Sequence, residues 1–323
     1  MKAIRFEKTG GPDVLQWVDV NVPPPGPGEV RLVQKAVGLN YIDTYHRSGL
    51  YPVTLPGGLG LEGAAVVEAL GPGVKGLKEG DRVAYGTGPL GAYAEARNFP
   101  ANRLVKLPKA ISDETAAAMM LKGMTVRYLL RATYKVKRGE TILLHAAAGG
   151  VGLILSQWAK ALGVKVIGTV GSDEKKAVAL AHGCTYVLNS STENVVARVK
   201  EITGGKGVPV VYDGVGKATF MTSLDCLRPR GLMVSFGNAS GPVKAFDLGL
   251  LSAKGSLFVT RPTLFSYTSN DADFAETAGD LVEIVKSGRV KIPVNQRYAL
   301  ADAAQAHRDL EARKTTGSTV LIP

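Results

Sequence analysis

The stretch from Thr141 to Val170 limits the fold of this chain more than any other. Thr141-Ile142-Leu143-Leu144-His145-Ala146 is a short apolar run with the length of a buried parallel strand. Ala147-Ala148-Gly149-Gly150-Val151-Gly152 interrupts it with a turn almost free of side chains. From Gly152 to Gly163 the residues Leu153, Ile154, Trp158, Ala161 and Leu162 fall at helical spacing, and Gly163 is placed to end that helix. Val164 to Val170 then predicts the returning strand.

The bare turn has a physical reading. A helix N-terminus presents unpaired N–H groups and the positive end of the macrodipole, which together suit a pyrophosphate. Side chains there would hold the phosphates away. Gly149 permits close approach of the backbone, and Gly152 lets the helix pack tightly on the strand. Gly149, Gly150 and Val151 are therefore candidate contacts to a dinucleotide. Ala147 stands where the first glycine of this fingerprint is usual. A glycine-rich turn alone is often only a turn; strand, helix and strand at the right spacing make it a binding unit.

Alternation continues downstream. Lys175 to Ala181, Asn194 to Thr203 and Phe220 to Leu227 read as helices. Thr185 to Leu188, Val208 to Asp213, Gly231 to Phe236 and Ser256 to Thr260 read as strands, completing a doubly wound parallel sheet of six strands. Upstream, Met1 to Phe6, Val14 to Val20, Glu29 to Val37, Gly63 to Ala69 and the Gly80 to Tyr85 segment are short strands between Gly- and Pro-rich breaks, the pattern of a small, partly closed β-barrel. Ser112-Asp113-Glu114-Thr115 offers a cap to a helix over Ile111 to Leu130, with Gly123-Met124-Thr125 as a joint between two helices. The last sixty or so residues hold two helices (Asp271 to Ser287, Leu300 to Arg313) and an end strand (Ser318 to Ile322) that do not extend the alternation, so they return to the first domain. The expectation is an α/β chain with one domain over 1–125 and 263–323 and a second over 126–262.

With 323 residues, 45% hydrophobic and 21% charged, the chain has the make-up of a globular protein of two domains. It shows no basic-then-apolar leader and no apolar run long enough to span a bilayer. Cys184 and Cys226 are its only cysteines, which suits a reducing, cytoplasmic setting and leaves little for a metal. The net charge is +11, but the basic residues are scattered and lack interleaved aromatics, which argues against nucleic acid and for a surface that attracts anionic cofactors.

The second strand of the unit indicates which dinucleotide. An acid about 20 residues past the glycines usually accepts from a ribose 2′-hydroxyl. Gly171 occupies that position, followed by Ser172 and Lys175, a set that suits a 2′-phosphate. Asp173 is the counter-evidence; its alternative is a first-turn acid facing the helix dipole.

The barrel-then-sheet order, the Gly80-Asp81-Arg82-Val83 turn and the Ala148-Gly149-Gly150-Val151-Gly152 stretch resemble the medium-chain dehydrogenase/reductase superfamily, which implies a GroES-like barrel domain beside a Rossmann sheet. Zinc alcohol dehydrogenases of that group carry a catalytic Cys and a Gly-His-Glu motif; here Asn40 and Leu61 stand in those places, and the four-cysteine lobe is absent, so no metal is expected. Asn40-Tyr41-Ile42-Asp43-Thr44-Tyr45, Leu121 to Val126, His145 to Gly152, Ser235 to Asn238, Val259 to Pro262 and Gly317 to Pro323 look like the zeta-crystallin type of quinone oxidoreductase.

That resemblance implies NADPH and a small quinone in an interdomain cleft, with no membrane partner and a homodimer formed near Ser256 to Thr260. It implies that Asn40, Tyr45 and Thr125 line the nicotinamide and substrate, with Tyr45 donating to the substrate oxygen and Asn40 orienting it. It places Phe236, Gly237, Asn238, Phe258, Val259 and Thr260 at the nicotinamide half, and Gly171, Ser172, Lys175 and Arg313 at the 2′-phosphate, with Ser190 where some relatives have a helping Tyr. Each has a plain alternative: Asn40 a turn residue, Thr125 a helix cap, Arg313 a helix-end cation, Tyr45 a core aromatic. Rival functions are an enone or 2-alkenal reductase, and a protein whose dinucleotide is structural and whose basic surface holds RNA.

Overall fold

A computed structural model describes residues Met1 to Pro323. In chain order the first elements are β1 (Lys2–Phe6), β2 (Gln16–Asp19), β3 (Glu29–Leu39), α1 (Tyr41–Ser48), β4 (Gly57–Gly58), β5 (Glu62–Leu70), β6 (Arg82–Tyr85), β7 (Ala96–Pro100), β8 (Val105–Lys106) and α2 (Asp113–Tyr128). Next come β9 (Thr141–Leu144), α3 (Gly150–Ala161), β10 (Lys165–Val170), α4 (Glu174–Ala181), β11 (Tyr186–Asn189), α5 (Val195–Ile202), β12 (Val208–Asp213), α6 (Phe220–Asp225) and β13 (Leu227–Ser235). The chain closes with α7 (Gly249–Ala253), β14 (Phe258–Thr260), α8 (Leu264–Tyr267), α9 (Asp271–Lys286), β15 (Val294–Ala299), α10 (Ala303–Glu311) and β16 (Ser318–Ile322). Two units form: Met1–Met124 with Thr268–Lys286 and Ile292–Pro323, and Thr125–Tyr267 with Ser287–Lys291.

The first unit is built around β3. Its early residues Glu29 to Val33 pair with β7, its late residues Val37 to Leu39 pair with β16, and β5 runs along its length. Register shifts at Arg31/Leu32 and Gln34/Ala36 bend the strand, as inserted residues do, so a seven-stranded sheet can curl into a partly closed barrel. Ile4, Phe6, Leu32, Val37, Leu59, Val67, Tyr85, Tyr93, Phe99 and Leu321 fill its core. β15 pairs parallel with β16, a strand that the sequence pattern does not reveal because its apolar positions are few.

In the second unit six parallel strands take the order β11-β10-β9-β12-β13-β14. β12 is buried at every position, as expected of a central strand covered on both faces. The order reverses between β9 and β12, and the loops after β9, β10, β12 and β13 all leave the carboxyl edge of the sheet beside that reversal. Cys184 and Cys226 are buried free thiols, pushed up to about 11 and about 12 chiefly by burial.

Three expectations need correction. Gly123-Met124-Thr125 is not a joint: α2 runs unbroken through it, and Thr125 is a mid-helix residue rather than a cap. Gly123 is present for space, since a Cβ there would lie 2.3 Å from the Leu281 side chain. Helix α3 begins at Gly150, two residues ahead of its expected start, so the bare turn is itself the first turn of the helix. Asn40 is no simple turn residue, because it begins α1, a helix the sequence reading left out.

Candidate functional site

In the second unit the site is made of backbone. Ala146 leaves β9 with a left-handed φ of 56°, and Gly149 begins α3 with no side-chain cap, leaving the first N–H groups of a twelve-residue helix without one. A Cβ on Gly152 would lie 2.4 Å from the Ala146 carbonyl oxygen and 2.6 Å from that of Ala147, so only glycine allows helix and strand to meet this closely. The departure at Ala147 is absorbed next door. A Cβ on Gly168 of β10 would lie 2.6 Å from the Ala147 methyl, so the second strand yields the space that the alanine takes.

Around the end of β10, Gly171 is exposed with open space about its Cα. Asp173 is exposed, bonded to Lys176 at 3.0 Å and accepting from Asn189 Nδ2 at 3.2 Å, and the Lys176 ammonium lowers its pKa. Ser172 bonds the Glu174 carboxylate and lowers its pKa, while Ser172 and Lys175 are both half-buried at the start of α4. Ser190 Oγ donates to the Val170 carbonyl at 3.1 Å and Ser191 Oγ to that of Gly171 at 3.0 Å. These two hydroxyls hold the strand end in place; nothing in their spacing identified Ser191 beforehand.

Beside the sheet reversal, Asp213 is fully buried and accepts from the N–H groups of Val215 (2.8 Å) and Gly216 (3.0 Å) and the hydroxyls of Thr219 (2.7 Å) and Ser223 (2.8 Å). It fixes the loop after β12, and sequence reasoning did not single it out. The Phe236–Asn238 loop is held from the other side. Arg261 Nη1 donates to the carbonyls of Ser235 (2.9 Å) and Gly237 (2.8 Å), and a Cβ on Gly237 would lie 2.3 Å from the Gly214 oxygen. His145 is buried with Nδ1 2.9 Å from Thr169 Oγ1, and burial holds its pKa below the usual value, so it is neutral. Within this unit Gly149, Gly150, Val151, Gly171, Ser172, Lys175, Phe236, Gly237 and Asn238 therefore gather along the carboxyl edge, which Thr260 ends on β14. Val259 pairs with Met233 inside the sheet. Phe258 begins β14 and is 60% exposed. Thr125 lies buried on α2 at the start of the same unit.

The first unit builds its candidate centre from buried side chains. The Asn40 N–H donates to Asp43 Oδ2 at 2.8 Å, closing the first turn of α1. Asn40 Nδ2 donates to Glu62 Oε2 at 2.8 Å and the Gly38 carbonyl at 3.4 Å. Glu62 also takes the Leu121 N–H at 2.9 Å and the Lys122 ammonium at 3.0 Å, so a buried ion pair from β5 and α2 fixes the asparagine. Gly38 makes room: a Cβ there would fall 2.3 Å from Glu62 Oε2. One turn along α1, Tyr45 is buried, its ring edge-on to Tyr51 at 5.2 Å and tilted against Tyr41 at 6.2 Å. Arg313 lies just past α10 with a φ of 60°; burial raises the pKa of the Tyr41 hydroxyl, and the Arg313 charge opposes that rise. Leu61 is buried and aliphatic, and no group of three or more His, Cys, Asp or Glu side chains able to hold a metal occurs.

No helix is long and apolar enough to cross a membrane. The alcohol dehydrogenase GroES-like domain family matches residues 26–109, and the zinc-binding dehydrogenase family matches residues 150–283. The quinone oxidoreductase of Pseudomonas aeruginosa is 58% identical over 100% of this chain and 99% of its own. The crystal structure of Escherichia coli quinone oxidoreductase complexed with NADPH superposes with a TM-score of 0.98 at 53% identity, covering 100% of both chains. A 2-haloacrylate reductase from a Burkholderia species is 48% identical over 98% of each chain. The zinc-binding label of the second match covers residues 150–283, and no group of three or more His, Cys, Asp or Glu side chains there or elsewhere could hold the metal. With identities this high over its full length, the chain belongs to the quinone oxidoreductase family of the medium-chain dehydrogenase/reductase superfamily.

Proposed function

We propose that this protein is a zinc-independent, NADPH-dependent quinone reductase. The observation that carries the reading is the bare N-terminus of α3, cleared by Gly152, together with an end of β10 where Gly171 offers no carboxylate. The residues of the second unit fit a phosphorylated dinucleotide: uncapped N–H groups for the pyrophosphate, and Ser172 and Lys175 for the 2′-phosphate.

When bound, NADPH supplies a hydride. The chain's own residues do the rest. Gly149, Gly150 and Val151 hold the pyrophosphate, and Phe236, Gly237, Asn238, Phe258, Val259 and Thr260 are the proposed nicotinamide contacts with Thr125. Asn40, held by Glu62, orients the substrate, and the Tyr45 hydroxyl donates a hydrogen bond to the quinone oxygen. After hydride transfer water supplies the one proton that completes the hydroquinone, so no strong acid is required. Initial rates with NADPH and NADH against a para-quinone test this; equal use of both cofactors, or no quinone turnover, would refute it.

The 48% identity to a 2-haloacrylate reductase favours one second reading, reduction of an activated carbon–carbon double bond. Rates with a simple alkenal beside the quinone separate the two. We further propose a cytoplasmic homodimer that uses the free edge of β14, on the ground that this terminal strand exposes Phe258. A monomeric mass by light scattering would rule out the dimer.

A further inference from the structure

We propose that His307 is a positioning residue for the reaction proposed above: as a neutral imidazole protonated at Nε2, it makes Tyr93 a one-way donor to Asp43 and so fixes the N-terminal turn of α1, which carries Asn40 and Tyr45. Four buried groups from distant parts of the chain form one line. Arg47 Nη1 is 2.9 Å from His307 Nδ1, His307 Nε2 is 3.1 Å from the Tyr93 hydroxyl, and that hydroxyl is 2.9 Å from Asp43 Oδ2. Asp43 Oδ2 also accepts the Asn40 N–H.

The proton positions follow from donor chemistry. A guanidinium has only donors, so His307 Nδ1 must be the acceptor. A neutral ring then carries its proton on Nε2, which donates to the Tyr93 oxygen. Tyr93 has one proton left and a single place for it, Asp43 Oδ2. Burial and the Arg47 guanidinium bring His307 down to about 3, which keeps the ring neutral. Arg47 is itself anchored outward, to Glu311 at 2.8 and 3.0 Å and to the Gly10 carbonyl at 3.0 Å. The line therefore runs from a partly exposed carboxylate on α10 to the cap of α1.

Asp43 is the sensitive end. Burial lifts it to about 7, opposed by the Asn40 N–H, the Tyr93 hydroxyl and the Lys122 ammonium, with Glu62 adding to the rise. Its Oδ1 is buried and has no partner, so Oδ2 alone holds the turn and a proton arriving there would settle on Oδ1. Protonation would turn two charge-assisted bonds into neutral ones.

The test uses the full-length protein and rests on the proposed quinone activity for only one of its readouts. Nitrogen-15 NMR of the histidines should show His307 protonated at Nε2 alone from pH 5 to 8; an imidazolium or an Nδ1–H ring overturns the proposal. Carboxyl carbon-13 titration should place the Asp43 midpoint higher in Tyr93→Phe than in the parent chain, and an unmoved midpoint overturns it. In His307→Leu, kcat with quinone should fall about tenfold while the NADPH Kd stays within about twofold, and His307→Gln, which keeps a donor towards Tyr93, should recover most of the loss. Unchanged kcat in His307→Leu, or no recovery in His307→Gln, overturns it. If the parent chain reduces no quinone, the functional reading fails, and the two NMR measurements still decide the line of bonds.

Discussion

The two candidate centres solve the same problem, holding a group still, by opposite means. At the bare helix start of the second unit the work is done by backbone and by missing side chains, while Asp213 and Arg261 fix the neighbouring loops. A Cβ is excluded at Gly152, another at Gly168 to admit the Ala147 methyl, and a third at Gly237. In the first unit the work is done by buried polar side chains, with Glu62 and Lys122 gripping Asn40 while Asp43 and Tyr93 close the helix that follows. The backbone turn is intolerant of volume. The side-chain site is sensitive to charge, because a buried charge that loses its partner keeps its desolvation cost.

The sharpest way to break the comparison is Lys122→Met. It strands the Glu62 carboxylate in the core and should cost about 3–5 kcal/mol of stability in urea unfolding. Adding Glu62→Gln should return part of that loss; a silent Lys122→Met would mean the pair is not what holds Asn40.

A pH signature of a few kcal/mol also belongs to the buried line of the first unit. His307 has its folded pKa lowered from 6.5 to about 3, so its contribution is present above pH 6.5 and fades as pH falls towards 3. Asp43 has its folded pKa raised from 3.8 to about 7, so its contribution is full below pH 3.8 and is lost as pH rises through 7. The two oppose each other between about pH 4 and 6.5. Relative to the parent chain, His307→Gln should gain stability on acidification and Asp43→Asn should lose it, as read by urea midpoints across that range.

Gly152→Val tests the other centre. Its branched side chain must enter space where even a Cβ meets carbonyl oxygens at 2.4 and 2.6 Å, so NADPH affinity should drop roughly a hundredfold, about 2.7 kcal/mol by calorimetric titration. Lys175→Glu should be milder, weakening NADPH about tenfold while leaving NADH nearly unchanged, since its proposed partner is the 2′-phosphate alone. Smallest of all, Tyr45→Phe should lower quinone turnover about threefold, the worth of one hydrogen bond in a reaction whose proton comes from water. Complete loss of turnover would make Tyr45 an essential acid and erase the contrast between a positioning centre and a reacting one.

The difference in construction also explains what could be read in advance. The turn from Ala147 to Gly152 is contiguous, its glycines answer to local geometry, and its flanking strand and helix have their own periodicities, so the fold and the bare helix start were both visible there. The depth of α2 was not visible. Gly123 looks like a break because glycine usually disfavours helix, and only Leu281, far along the chain, shows that it is needed for packing. The same holds for Asp213, Glu62 and His307, whose types say only that a polar residue is present until the fold buries them.

Residue order alone determined the succession of barrel-forming strands and a six-stranded parallel sheet, the bare helix start at Gly149 to Gly152 and the missing acid at Gly171, because each depends on neighbours a few positions away. Only the tertiary structure decided which charges are buried, with whom they pair and where their protons lie. Desolvation and hydrogen-bond direction are properties of groups such as Asn40, Glu62 and Lys122, or Asp43, Tyr93 and His307, which meet only when the chain has folded.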